Sequence, residues 1–191
     1  MPENAVHQFL IEPAERAPET VALVNASTGL ETTRQDLLTG AQQAACFLAN
    51  QGVVAEQRVM MCCYDSSAFL NWFWGAIWIG AVPVPVSTML TTKDYEFLIK
   101  DSRAVGVVFS AGQEQVLAPA LEEQPFLKWS QERGNNEHRR ACNQSAESKT
   151  IPVATLWSAR ALGIRRRYAP GKKGPCSGAA FIRQVYRRMS Y

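Results

Sequence analysis

The residue types able to bind a metal or attack a substrate are sparse and scattered in this 191-residue chain. Its five cysteines are Cys46, Cys62, Cys63, Cys142 and Cys176, and its two histidines are His7 and His138. No two cysteines stand in C-x-x-C spacing, so a zinc site is not expected. Cys62 and Cys63 sit inside the apolar run Arg58–Tyr64 and read as buried free thiols of a reducing compartment. That predicts a cytoplasmic protein. Asp65, Asp94 and Asp101 lie near the ends of predicted helices. Such carboxylates are expected to be solvated or to cap helices, not to catalyse. Gly171-Lys172-Lys173-Gly174 imitates a phosphate-binding loop but lacks the hydroxyl-rich lead and the preceding strand. No catalytic, cofactor-binding or metal-binding residue is therefore assigned.

The elements that would have to position such residues are easier to read. Apolar periodicity alternates between helical and extended, the pattern of an α/β domain. Ala5 to Arg16 predicts a helix burying Val6, Phe9, Leu10 and Ala14. A hairpin follows: Val21–Val24, a turn Asn25–Gly29, and a return over Leu30–Thr33. Thr32 and Gln35 predict a capping box for a helix Arg34–Asn50, with a stripe Leu37, Leu38, Ala41, Ala44, Ala45 and Leu48, and Gly52 as its stop. Arg58–Tyr64 and Ala104–Ser110 are continuous apolar runs of strand length, as in strands covered on both faces.

Between them, Asp65 or Ser66 caps a deeply buried helix Ala68–Ile79. Val82–Val86 must be extended because Val82 and Val84 each precede a proline, and Thr91 or Thr92 caps a helix Lys93–Ser102. Gln113–Glu123 reads as a further helix. Ala68–Val86 is hydrophobic enough to suggest a membrane span, but Asn71, Gly75, Gly80, Pro83 and Pro85 interrupt it. The start, Met1-Pro2-Glu3-Asn4, carries acid where a secretory leader needs base.

Charge divides the chain. Residues 1–130 hold 7 Lys+Arg and 14 Asp+Glu, a net of 7 − 14 = −7. The rest holds 20 − 7 = 13 basic and 17 − 14 = 3 acidic residues, a net of +10. Residues 129–191 lack a hydrophobic repeat and read as a poorly ordered basic tail. Its composition also resembles GC-rich coding sequence translated out of frame. Phe181–Arg188 can be written TTC ATC CGG CAG GTC TAC CGG CGT, which one base later reads Ser-Ser-Gly-Arg-Ser-Thr-Gly.

A family resemblance rests on an ordered set of motifs. Glu31-Thr32-Thr33-Arg34-Gln35-Asp36-Leu37 resembles the leucine–threonine–tyrosine … glutamate–leucine motif near the start of adenylate-forming enzymes. Gly52 to Val59 is similar to their gly-val … gly-asp-arg-val lead-in, with Glu56-Gln57 standing where the family has Gly-Asp. Phe73 to Val86 resembles the gly-ala … ala-gly-ala-val … pro motif. Ser87–Thr91, Asp94-Tyr95 and Asp101–Ala104 continue it in the manner of benzoate and related aryl-CoA ligases.

The resemblance covers Asn4 to Lys128. It implies residues 1–128 as the N-terminal part of an AMP-forming acyl-CoA ligase domain, with a partial parallel or mixed sheet and flanking helices. In that family a carboxylate attacks the α-phosphate of ATP, pyrophosphate leaves, and the CoA thiol displaces AMP. The partners implied are an aromatic or other carboxylic acid, ATP with Mg²⁺, and CoA.

The family's chemistry also needs a Ser/Thr/Gly-rich loop ending in Pro-Lys-Gly, an acidic residue for Mg²⁺, an Asp on the ribose and a late lysine. None can be placed on Met1–Tyr191. The expectation is a truncated or frameshifted ligase fragment without turnover and without a cofactor of its own. Two other readings compete. One is a nucleic-acid or acidic-partner binder using Arg165-Arg166-Arg167, Lys172-Lys173 and Arg187-Arg188, interleaved with Tyr168, Phe181 and Tyr186. The other is a non-catalytic subunit of a separate ligase chain.

Overall fold

The computed structural model describes residues 4–133; the tail readings beyond them lie outside the described residues. The first helical segment, which starts at Ala5, passes through a π-helical turn, His7–Ile11, and continues as α1, Glu12–Arg16. The sequence predicted one uniform helix here. Pro13 supplies the reason for the difference: it has no N–H to give, and its ring would strike the carbonyl four residues back. Widening the preceding turn relieves this, and the Glu12 amide reaches back to the His7 carbonyl. Val6, Leu10 and Ala14 are buried as expected, but Phe9 is 62% exposed.

The hairpin consists of β1 (Val21–Val24) and β2 (Glu31–Thr33), paired antiparallel. Asn25 builds its turn, since its Oδ1 accepts the Ser27 and Thr28 amides at 3.0 and 3.1 Å. Gly29 takes the left-handed conformation there, with φ 69°. α2 spans Arg34–Asn50, as predicted. Its capping box is one residue later than expected, with Thr33 and Asp36 exchanging bonds in place of Thr32 and Gln35. The register follows from what precedes it. The carbonyls of Thr20 and Pro18 take the Arg34 and Gln35 amides, leaving Asp36 N as the next free donor.

A four-stranded, all-parallel sheet forms the centre, in the order β4-β3-β5-β6. The strands are β3 (Arg58–Cys62), β4 (Val82–Pro85), β5 (Gly106–Ser110) and β6 (Trp129–Arg133). The connecting helices are α3 (Ser67–Trp78), α4 (Thr92–Ser102) and α5 (Glu114–Leu121). The two-residue period of the strands sorts the core. Val59, Met61 and Val108 turn toward α2 and α3, packing with Ala44, Leu48, Trp72 and Ala76. Met60, Cys62, Val107 and Phe109 turn the other way, onto Tyr95, Ile99 and Leu117 of α4 and α5. Both faces of β3 and β5 are covered, which explains their unbroken apolar runs.

Two close approaches fix this arrangement. Gly75 of α3 lies against Ala41, Ala44 and Ala45 of α2, so that an added Cβ would stand 2.6 Å from Ala44 Cβ. Gly106 of β5 lies beneath the Trp129 ring, where an added Cβ would collide. Trp129 belongs to β6, a strand that the sequence reading assigned to the tail. Its ring also meets Phe47 edge-on at 5.8 Å, and Phe47 meets Trp72 in the same way at 5.3 Å, tying β6 to α2 and α3.

The predicted deep burial of the α3 helix holds for one face. Trp72, Gly75, Ala76 and Trp78 are buried, whereas Phe69, Leu70, Phe73, Trp74 and Ile77 are half-buried.

Candidate functional site

Open α/β sheets bind their ligands beyond the carboxyl ends of the strands. In this chain that edge is made by the end of β3 (Cys62 to Asp65), the end of β5 (Ser110), and the loop after β4 beginning at Ser87. A hydrogen-bonded chain joins them. The Tyr95 hydroxyl, reaching up from α4, donates to the Ser87 carbonyl at 2.8 Å, and the Cys62 thiol donates to the Tyr95 oxygen at 3.1 Å. Gln113, at the start of α5, is buried and donates through Nε2 to the Tyr64 hydroxyl at 2.9 Å. The Tyr64 amide donates to Ser110 Oγ at 3.0 Å. Four segments are thereby stitched together by groups whose hydrogen bonds are largely used up among themselves.

The electrostatics of this edge favour neutral groups. Burial pushes the Cys62 thiol above its ordinary range, against the opposing pull of the Tyr95 hydrogen bond. Burial, reinforced by neighbouring Cys62, pushes Cys63 up to about 12. Burial also raises Tyr95, as does its bond to Cys62. Thiols held protonated are poor nucleophiles and poor metal ligands.

The carboxylates behave as capping or solvated groups. Asp94 takes the Thr91 hydroxyl at 2.7 Å and the Thr91 amide at 3.0 Å, which lowers its pKa and closes the capping box of α4. Thr91 serves as the cap of that helix, and Ser66 caps α3 by accepting the Phe69 amide at 3.3 Å. Asp65 and Asp101 are exposed, Cys46 is half-buried on α2, and His7 is half-buried in the π turn. Among the described residues no group of three His, Cys, Asp or Glu side chains is placed to hold a metal ion. His138, Cys142, Cys176, Gly171–Gly174 and the basic clusters lie outside the described residues.

One groove opens beside this edge, between the hairpin turn and the start of α3. It has a volume of about 510 Å³ and is lined by Leu23, Val24, Asp65, Ser66, Phe69 and Leu70, among others. Its walls are mostly apolar and its charged lining residue is acidic, which does not suit a phosphate ligand.

Sequence reasoning missed the Tyr95–Cys62 and Gln113–Tyr64 links. Gln113 carried no periodic signal, and the partners of Tyr95 lie 33 and 8 residues away. Arg58 offered a better clue. It is the arginine of the motif leading into β3, and its Nε donates to the Ser102 carbonyl at 2.6 Å while Nη2 reaches the Arg103 carbonyl at 3.3 Å. A positive charge thus closes the C-terminal end of α4.

A doubly covered parallel sheet carrying these motifs defines an adenylate-forming type of fold. Residues 10–162 match the family of AMP-binding enzymes, and the chain belongs to that family. It is 38% identical over 77 residues to the benzoate–CoA ligase of Thauera aromatica, an alignment spanning 40% of this chain and 15% of that protein. A fatty acyl CoA synthetase from Mycobacterium tuberculosis superposes with a TM-score of 0.68 at 25% identity, covering 78% of this chain and 30% of that one. A benzoate CoA ligase from Burkholderia xenovorans LB400 does so at 0.63 and 26%, covering 78% and 29%. The chain thus spans well under half the length of the relatives it matches. Among the described residues no helix is long and apolar enough to cross a membrane.

Proposed function

We propose that this chain is the N-terminal scaffold of an ATP-dependent aryl- or acyl-CoA ligase, and that by itself it activates no acid. The family match over residues 10–162 carries this reading. The benzoate–CoA ligase of Thauera aromatica favours the aryl-acid branch. In such a ligase the carboxylic acid, ATP with Mg²⁺, and CoA are the reactants. Carboxylate oxygen bonds to the α-phosphorus, pyrophosphate departs, and CoA sulfur then takes the acyl carbon as AMP leaves.

The residues described here serve that chemistry as support. β3 and β5 form a rigid platform, Arg58 and the Tyr95–Cys62 link fasten helix to sheet, and the strand-end network presents neutral groups. Stabilising charge on a transferring phosphoryl group requires preorganised cations or donors, each ~1.4 kcal/mol of which is tenfold in rate. The strand-end network of Cys62, Tyr64, Tyr95, Ser110 and Gln113 contains no cationic side chain, and its donors bond to one another and to backbone carbonyls. Free thiols at Cys46, Cys62 and Cys63 support a reducing, cytoplasmic setting. The reading further takes the basic residues after β6, which ends at Arg133, as a separate segment whose later part derives from a shifted reading frame.

The test is acid-dependent exchange of radiolabelled pyrophosphate into ATP by the purified chain with Mg²⁺ and a panel of aryl and alkyl acids. Background exchange is expected. Exchange that needs the acid and follows the chain through purification refutes the claim of inactivity. The nucleotide sequence over codons 125–200, read in all three frames, tests the shifted frame. Restoring that frame is expected to switch exchange on.

A further inference from the structure

Among the described residues the two edges of the parallel sheet are chemically unlike, and the difference lies in two prolines. In a parallel ladder, alternate residues of an edge strand turn both N–H and C=O toward the neighbour, and the residues between them turn both outward. β4 pairs with β3 in the register Arg58↔Val82, Val59↔Pro83, Met60↔Val84 and Met61↔Pro85. The Val82 amide donates to the Gln57 carbonyl at 2.8 Å, and the Val86 amide donates to the Met61 carbonyl at 3.0 Å. Val82, Val84 and Val86 therefore face β3. The outward positions are Pro83 and Pro85, which have no N–H.

Along its outer side β4 offers carbonyls and no donor, so a further strand would leave its own carbonyls unpaired there. β6, at the other edge of the order β4-β3-β5-β6, is different. The Lys128 amide donates to the Val105 carbonyl at 2.9 Å, so Trp129, Gln131 and Arg133 turn their amides outward, and none of them is proline.

We propose that Pro83 and Pro85 close the β4 edge against strand addition, so that a second copy of this chain cannot pair there edge to edge. An exposed edge strand is a ready template for association, and proline is one way to blunt it. The prolines also hold the segment extended, so the closed edge carries no cost in strand geometry.

The experiment replaces Pro83 and Pro85 by threonine, singly and together, in the full chain. Threonine favours strands without adding the apolar surface that would cause association by another route. Far-UV circular dichroism confirms folding, and the single variant Pro85→Thr, at the exposed end of β4, is the fallback if the double variant does not fold. Sedimentation velocity over a concentration series reads self-association, and amide hydrogen exchange reads the new N–H groups at positions 83 and 85.

Two restored backbone donors are expected to raise self-association on the order of tenfold or more. The new amides should exchange rapidly at dilution and slow as concentration rises. Protection of those amides at dilution would overturn the proposal, because the edge would then already be paired. Unchanged association across the series, with rapid exchange throughout, would overturn it equally, because the prolines would then be closing nothing.

Discussion

Replacing Glu56 by glycine should stabilise this protein, although it deletes a side chain and adds no contact. Glu56 has φ 67°, in the left-handed region that costs an L-residue roughly 1–2 kcal/mol. The fold holds it there because its amide donates to the Gly80 carbonyl at 2.9 Å while Arg58 Nη1 reaches its own carbonyl at 3.3 Å. Both bonds are backbone-based on the Glu56 side and survive the substitution. The side chain is exposed. Glycine removes the strain but loses about 0.5–1 kcal/mol to the greater freedom of the unfolded chain. The balance is a gain of about 0.5–1 kcal/mol, or a Tm rise of about 2–4 °C.

Two controls sharpen the reasoning. Glu56→Ala deletes the same carboxylate without relieving φ, and should gain nothing. Arg103→Gly relieves a φ of 51° but removes the guanidinium that lies 5.5 Å from the centre of the Phe126 ring, so its gain should be offset. The assay is urea denaturation of all three variants beside the parent. If Glu56→Ala stabilises as much as Glu56→Gly, the effect lies in the charge and the backbone argument fails.

Gly75→Ala should destabilise. Helix propensity favours alanine by about 1 kcal/mol, but a Cβ 2.8 Å from the Ala45 backbone nitrogen meets something that cannot rotate away, and overpacking of this kind costs about 1–3 kcal/mol. A Tm equal to or above the parent's would show that α2 and α3 can slide apart at no cost. Asp94→Ala should weaken the chain at neutral pH. Because the folded pKa of Asp94 is lowered, its contribution is present above the ordinary carboxylate pKa and fades as pH falls through the folded one. Parent and variant should therefore converge in acid, and a gap of constant size from neutral to strongly acidic pH would contradict the capping role. Cys63, pushed up to about 12, should be thiolate in roughly one molecule in ten thousand at pH 8, so peptide mapping after iodoacetamide treatment should find it unmodified in the native state. Rapid native-state alkylation at Cys63 would refute the assignment of that environment.

Legibility in the sequence followed the range of the forces involved. Elements set by local periodicity and capping were read almost to the residue: α2 begins and ends at Arg34 and Asn50, and Gly52, the expected stop, has φ 74°. β3 and β5 were read from runs that both sheet faces demand. What failed depended on partners distant in sequence. β6 has the sequence Trp-Ser-Gln-Glu-Arg, with no strand period, and exists because its register with β5 sets Trp129 over Gly106. The capping box moved by one residue because the carbonyls of Pro18 and Thr20 claimed the first two helical amides. At the candidate site the cap of α4 at Thr91 could be read from its place before the helix. The pairing of Tyr95 with Cys62, and of Gln113 with Tyr64, could not be, since each joins elements that only the sheet brings together.

The hydrophobicity of residues 68–86 follows from a packing demand on each side of one helix. On its inner side Gly75 lets α3 approach Ala41, Ala44 and Ala45, close enough that a methyl group would not fit. On its outer side it carries Phe69, Phe73 and Trp74: Phe69 stacks on Phe73 at 6.2 Å, Phe73 meets Trp74 edge-on at 5.6 Å, and Phe9 stacks on Trp74 at 6.4 Å. A globular helix normally turns charge to its outer face. This one turns aromatic rings, and in the described residues they remain half-buried. A membrane span would also be apolar all round, but α3 has only 12 residues, too few to cross a bilayer. The segment reads as lipid-compatible because one face packs on α2 and the sheet while the other carries half-buried aromatic rings.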